Sequence, residues 1–231
     1  QALARWYRQG ADVQAQLLDT KAKQAFMIDA STGTVLFEKN ADEPVPPASL
    51  AKLMTMEVVF QALKSGRRAG SETFPVSENA WRTGGAPSGT STMFAALKSQ
   101  VPIIDLVRGA IVQSANDACI ILAEGFAESE QAFSEHMNER AKAIGLNGSV
   151  FKNSNGLPAE GQLVTMRDLV KLGSHIWREY PELYQIYSEP EFTWNKITQR
   201  NRNPLLGLDN GVDGMSTGFT EESGYAILAS A

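Results

Sequence analysis

The sequence predicts an α+β fold: an antiparallel sheet built from both chain ends, helices flanking it, and an all-helical lobe between. Three observations predict it. Residues 24–29 and 34–39 are short apolar-rich runs around Ala30-Ser31-Thr32-Gly33, and residues 225–231 form a similar run at the far end. Between them, apolar residues recur three and four apart, the period of helices that bury one face.

In chain order, the first two runs and their glycine-containing turn read as a β-hairpin. Pro44, Pro46 and Pro47 then exclude regular helix or a central strand. From Ala48 onward Leu50, Leu53, Met54, Val58 and Ala62 keep helical spacing, so a helix begins near Ser49. Its apolar residues occupy more than one face, as in a buried helix. Residues 65–102 are rich in Gly, Ser and Thr, including Thr83-Gly84-Gly85-Ala86-Pro87-Ser88-Gly89-Thr90, and predict long connections with little regular structure. Helical spacing returns at 103–112, 117–127 and 129–144, the last through Phe133, Met137, Ala141 and Ile144. Asp117 stands where it would cap the second of these. Thr165 and Asp168 resemble a capping box that opens a further helix through Leu169, Leu172, Ile176 and Trp177. Glycines punctuate 207–218 before the final strand, and there is no internal repeat or low-complexity tract.

Composition narrows the function. A chain of 231 residues with 43% hydrophobic content can build one full domain, or a domain with an inserted lobe. The formal charge of -5, without a run of five like charges, argues against nucleic acid or an anionic membrane as main partner. Cys119 is the single cysteine, so no intrachain disulfide forms. His136 and His175 lie far apart without ligand-like neighbours, and both read as ordinary helix residues. No metal site and no cofactor are implied. No apolar run reaches the ~20 residues of a membrane span. The start, Gln1-Ala2-Leu3-Ala4-Arg5-Trp6, lacks a basic stretch followed by a long apolar core, so an export signal is expected to be already removed or never present.

Three segments could carry chemistry. Ser49-Leu50-Ala51-Lys52 sets a hydroxyl and an amine three positions apart, on one face of a helix. A lysine that loses its proton through burial or a nearby second cation can then deprotonate the serine. Ser149-Val150-Phe151-Lys152 repeats the pattern, but between Asn147-Gly148 and Asn153-Ser154-Asn155-Gly156, where turn residues provide no helix to align it. Ser114-Ala115-Asn116 falls in an interhelical turn, where a hydroxyl could relay a proton to a leaving amine and an amide could grip a peptide carbonyl. Ser77-Glu78-Asn79 has the same short form without that context. Asp213-Gly214-Met215-Ser216-Thr217-Gly218-Phe219 offers a strand of small and hydroxyl residues along which a substrate backbone could pair.

In this order the segments resemble the Ser-x-x-Lys, Ser-x-Asn and Lys-Thr-Gly motifs of the serine D-alanyl-D-alanine carboxypeptidases, the low-molecular-mass penicillin-binding proteins. The resemblance extends through Met27-Ile28-Asp29-Ala30, Pro47 to Thr55, Gly109 to Ala118 and Gly214 to Thr220. It implies a β-lactamase/transpeptidase-like fold, with residues 21–231 as the peptidase domain, a helical lobe at about 66–165 and an unassigned segment at 1–20. It implies Ser49 as nucleophile, Lys52 as general base and Ser114 as proton relay. Asn116 would hold the substrate, Ser216, Thr217 and Gly218 would line the cleft, and the backbone N–H groups of Ser49 and Phe219 would form the oxyanion hole. The expected ligands are the pentapeptide stem of peptidoglycan and β-lactam antibiotics, the expected location periplasmic or otherwise extracytoplasmic.

The chain departs from the family pattern twice. Ser216 stands where the motif has lysine, which impairs the expected activity. The chain also stops at Ala231 where family members continue with further strands and a closing helix, so the sheet is expected to be incomplete there. The β-rich C-terminal domain and anchoring helix of many relatives are not in this sequence, and membrane anchoring is therefore not encoded in it. A catalytically weak penicillin- or peptidoglycan-binding protein is the main alternative. A serine β-lactamase fits less well, because no Glu-x-x-Leu-Asn segment lies between Ser114 and Ser216 and Ala115 matches the peptidases. A purely structural helical scaffold would leave the three ordered motifs without a cause.

Overall fold

The computed structural model describes residues 19–221 and 224–231. Of the unassigned segment at 1–20, all but residues 19 and 20 lie outside the described residues. Strands β1 (Ala25–Ile28) and β2 (Val35–Lys39) form the expected antiparallel hairpin, with Ala25 opposite Lys39. Asp29 closes the turn by accepting from the backbone N–H groups of Ser31 and Thr32 and from the Ser31 hydroxyl. The proline stretch then delivers the chain into a 3-10 turn at Ala48–Ala51, which runs directly into helix α1 (Lys52–Lys64). Helix α1 is the axis of the molecule: Leu53, Met54, Met56, Val59 and Phe60 are all buried, on every side of it.

The glycine-rich stretch after α1 is more ordered than its composition suggests. Strands β3 (Thr73–Pro75) and β4 (Gln100–Pro102) pair antiparallel, and α2 (Glu78–Gly84) lies between them. The Ser77 hydroxyl accepts from the Ala80 N–H at 2.9 Å, so Ser77-Glu78-Asn79 is a helix cap. The region expected to be all-helical therefore contains a two-stranded ribbon. Helices α3 (Ile103–Val112), α4 (Asn116–Ala127), α5 (Glu130–Ala143) and α6 (Met166–Glu179) follow the apolar spacing, and a short α7 (Pro181–Tyr184) succeeds them.

Two capping expectations are corrected. Asp117 does not cap α4, whose N-cap is Ala115 without a side-chain bond. Its buried carboxylate instead accepts from Thr92 Oγ1, Met93 N and Ala95 N, because these loop donors would otherwise be buried unpaired. Thr165 caps α6 by accepting from Asp168 N at 3.1 Å, yet the Asp168 carboxylate turns outward to Gly148 N and Ser149 Oγ. Half a capping box forms.

The hairpin of β5 (Glu191–Trp194) and β6 (Ile197–Arg200) has no clear sequence signal. Its two-residue turn, Asn195-Lys196, has both residues at positive φ (48° and 63°), but carries no glycine to announce it. Strands β7 (Gly214–Thr220) and β8 (Gly224–Ser230) form the last hairpin. Strands at both chain ends are found, but as two separate ribbons: among the described residues β1–β2 and β7–β8 share no hydrogen-bond ladder. Both pack on α6 instead. Gly173 of α6 makes the room, since a Cβ there would lie 2.8 Å from Leu228 Cδ2 and 3.0 Å from Met215 Sδ.

Candidate active site

The first turn of α1 gathers the candidate groups. Lys52 is 3% exposed, and its Nζ donates to Ser49 Oγ at 2.9 Å and to the Asn155 carbonyl at 2.8 Å. Burial pushes its pKa down to about 8, and only a charged Cys119 thiolate would oppose this. Among the described residues no other cation contributes to this shift, and desolvation is what prepares the amine. Cys119 itself is pushed up to about 12, mainly by burial, and stays a thiol.

Asn155 belongs to a strap that crosses the start of α1. One turn beyond Lys52, Thr55 Oγ1 donates to the neighbouring Ser154 carbonyl at 2.6 Å. Gly156 has φ +83°, and a Cβ there would fall 1.8 Å from the Ala48 carbonyl oxygen. Only glycine allows this approach. The Asn155 carbonyl is a site group that the sequence reading missed, since Asn153-Ser154-Asn155-Gly156 announced a turn but not which backbone atom would face a lysine. Nearby Ser149 donates to Asp168, at 2.7 Å, so the second Ser-x-x-Lys match has its hydroxyl engaged elsewhere.

Ser114 sits between α3 and α4 at φ +53°, partly exposed. Helix α4 packs against α1, and its Cys119 is the thiol near Lys52, so the start of α4 lies on the Lys52 side of the fold. Asn116 is buried, with its N–H on the Ser91 carbonyl at 2.8 Å and its Nδ2 on Thr90 Oγ1 at 3.0 Å. Gly84 backs this turn so tightly that a Cβ would lie 2.6 Å from Asp117 N.

Strand β7 supplies another wall. A Cβ on Gly218 would lie 3.0 Å from Ala48 Cβ and 3.1 Å from Ser49 N, so the strand runs against the backbone of the serine. The first N–H groups of a helix have no intrahelical partner, and that of Ser49 falls at such an end. Ser216, half-buried opposite Leu228, shares the face of Gly218 by strand alternation. Thr217 is half-buried opposite Ile227, while Phe219 is 54% exposed and its ring lies tilted against that of Tyr225 with centroids 4.5 Å apart. Among the described residues no group of His, Cys, Asp and Glu could hold a metal ion, and no helix is long and apolar enough to cross a membrane.

A serine hydroxyl at a helix start, bonded to a buried amine of lowered pKa and flanked by a glycine-containing strand, is an arrangement suited to serine acyl transfer with a lysine base. The chain belongs to the D-alanyl-D-alanine carboxypeptidase family, peptidase family S11, whose pattern matches residues 10–231. It is 46% identical over 221 residues to the D-alanyl-D-alanine carboxypeptidase DacC of Escherichia coli, covering 95% of this chain and 55% of that protein. The structure of penicillin-binding protein 5 from Haemophilus influenzae superposes with a TM-score of 0.88 at 40% identity, over 91% of this chain and 61% of that one. Penicillin-binding protein D2 from Listeria monocytogenes, in its ampicillin-bound form, superposes at 0.76 with 30% identity, over 92% of this chain and 84% of that one. The chain spans about half the length of the curated relatives it matches.

Proposed function

We propose that this chain is a serine-type D-Ala-D-Ala carboxypeptidase acting on peptidoglycan stem pentapeptides outside the cytoplasm, and that β-lactams acylate it. Residues 21–231 form its peptidase domain, with the helical part at about 66–165. The observation that carries the reading is the 2.9 Å bond between Ser49 Oγ and a buried Lys52 amine.

With a pKa of about 8, roughly a tenth of Lys52 is neutral at pH 7. In that form Nζ accepts the Ser49 proton as Oγ attacks the carbonyl between the two D-alanines. The resulting oxyanion is held by the N–H groups of Ser49 and Phe219, a reading supported by the close approach of Gly218 to Ser49 N. As the C–N bond breaks, the proton passes through Ser114 to the departing amine of D-alanine. Water then attacks the Ser49 ester, gives its proton to the base, and releases the shortened stem while Ser49 regains its hydrogen. A penicillin follows the first half of this path, its ring amide taking the place of the peptide bond.

Ser216 weakens the cycle, because a neutral hydroxyl meets the terminal carboxylate where the family motif has a cation. The second reading, a catalytically weak penicillin- or peptidoglycan-binding protein, draws on this residue alone. Peptide mapping of the penicillin adduct, together with D-alanine release from a pentapeptide, tests both. The expected outcome is an adduct on Ser49 and measurable release; an adduct without release favours the weak binder. A label elsewhere, or one that survives Ser49→Ala, overturns the assignment.

A further inference from the structure

The loop that leans on Asn116 contains a row of hydroxyls, and one arrangement of their protons makes every contact in the row a hydrogen bond. Ser88 Oγ lies 2.7 Å from the Gly85 carbonyl, and a carbonyl can only accept, so the single Ser88 proton is committed there. Thr90 Oγ1 lies 2.8 Å from Ser88 Oγ. Since Ser88 has already donated, Thr90 must donate to it, and Ser88 Oγ also accepts the Thr90 N–H at 3.2 Å. Thr90 Oγ1 is then left only as an acceptor toward its remaining neighbour, the Asn116 amide at 3.0 Å. That neighbour must be the NH₂ end. The chain of donation runs one way, from Asn116 Nδ2 through Thr90 and Ser88 to the Gly85 carbonyl.

We infer that Thr90 and Ser88 are positioning residues that fix which way the Asn116 amide faces. The inference rests on the peptidase reading, in which Asn116 grips a substrate carbonyl and therefore needs an N–H free for it. With one N–H on Thr90, a flip of the amide is disfavoured, because its oxygen would meet the Thr90 oxygen unless Thr90 gave up its bond to Ser88. Its second N–H stays available to the ligand. The backbone already clamps the turn on which the amide rides: Asn116 N donates to Ser91, and Asp117 holds Thr92, Met93 and Ala95. What the hydroxyl row adds is the orientation of the amide itself, something its own helix does not determine.

The test is penicillin acylation and D-alanine release by the whole chain, in wild type and in Thr90→Val, Thr90→Ser and Ser88→Ala. Valine keeps the shape of threonine but offers Asn116 no acceptor, so kcat/KM for acylation falls roughly tenfold, the worth of one oriented hydrogen bond. Thr90→Ser keeps the hydroxyl and stays within about twofold. Ser88→Ala never touches Asn116, yet it frees the Thr90 proton to meet either end of the amide and costs severalfold. In all three the acidic limb of the pH–rate profile stays where it is, because Lys52 is untouched. Wild-type rates in Thr90→Val, or a Ser88→Ala protein identical to wild type, overturn the inference while leaving the peptidase reading intact. A wild-type chain that penicillin never acylates overturns the reading, and the role of Thr90 with it.

Discussion

Helix α1 buries two charges five residues apart and treats them in opposite ways. Glu57 is fully buried and surrounded by partners: Arg140 donates to both carboxylate oxygens, Tyr180 OH donates at 3.0 Å, and His175 Nε2 lies 3.3 Å away. Burial alone would raise its pKa, but His175, Arg140 and Tyr180 together hold it below the usual range. Lys52 is equally buried and, among the described residues, has no counter-ion, only a hydroxyl and a carbonyl. Pairing makes the first charge permanent, while leaving the second unpaired makes it easy to discharge. The same helix thus carries one charge for architecture and one for proton transfer.

The sharpest break of this contrast is at Lys52. Lys52→Arg keeps the charge but cannot give up a proton, so penicillin acylation should fall by a factor of about 10³ or more in a protein that still folds, a barrier higher by about 4 kcal/mol. Stopped-flow acylation checks it, and near wild-type rates would show that another group takes the Ser49 proton.

At the other end, Glu57→Gln leaves Arg140 facing an uncharged amide. Because Arg140 is itself partly exposed, the expected loss is about 2–3 kcal/mol of stability, measured by urea unfolding. Acylation in the folded fraction should persist. A Glu57→Gln protein that is stable but inert would erase the division of labour between the two charges.

Stability against pH separates the two as well. The Lys52 pKa is about 8 folded against 10.5 unfolded, so between those values the unfolded chain holds the extra proton. Stability therefore rises with pH across that window, by up to about 3 kcal/mol. In Lys52→Met this increment disappears. The comparison of the two denaturation series from pH 7 to about 11 isolates the contribution of the unpaired amine.

Ser216→Lys should have a smaller effect in the opposite direction. A cation there would bind the substrate carboxylate and, by repulsion, lower the Lys52 pKa further, raising acylation roughly tenfold and moving the acidic limb of the pH–rate profile toward lower pH. An equal or slower rate would mean that burial already supplies all the activation the base can use.

What was legible in the sequence depends on which atoms act. Ser49, Lys52, Ser114, Asn116 and the strand from Ser216 to Phe219 are candidates the sequence offers because side-chain type and spacing carry the chemistry proposed for them; of these, the Ser49–Lys52 contact is present in the structure. The helices at 103–112 and 166–179 were readable from apolar period. The Asn155 carbonyl was not, because every residue type has one and only the tertiary path decides where it points. The carboxylate of Asp117 was misassigned for a related reason: capping is a local rule, and loop donors from residues 92–95 outcompeted it. The β5–β6 hairpin escaped because Asn195-Lys196 adopts a glycine-like turn without glycine.

The strap that ends at Gly156 has a consequence for the order in which the molecule becomes itself. The acceptor for the Lys52 amine lies 103 residues downstream, beyond α5, and the glycine beside it seats directly on Ala48. Long-range closures of this kind come late in folding, since the loop they close must first lose its freedom. During refolding, therefore, the helix that bears Ser49 and Lys52 can form well before the pair becomes reactive. Reactivity toward penicillin would then mark the moment when the long closures, this strap and the still more distant strand β7, are complete.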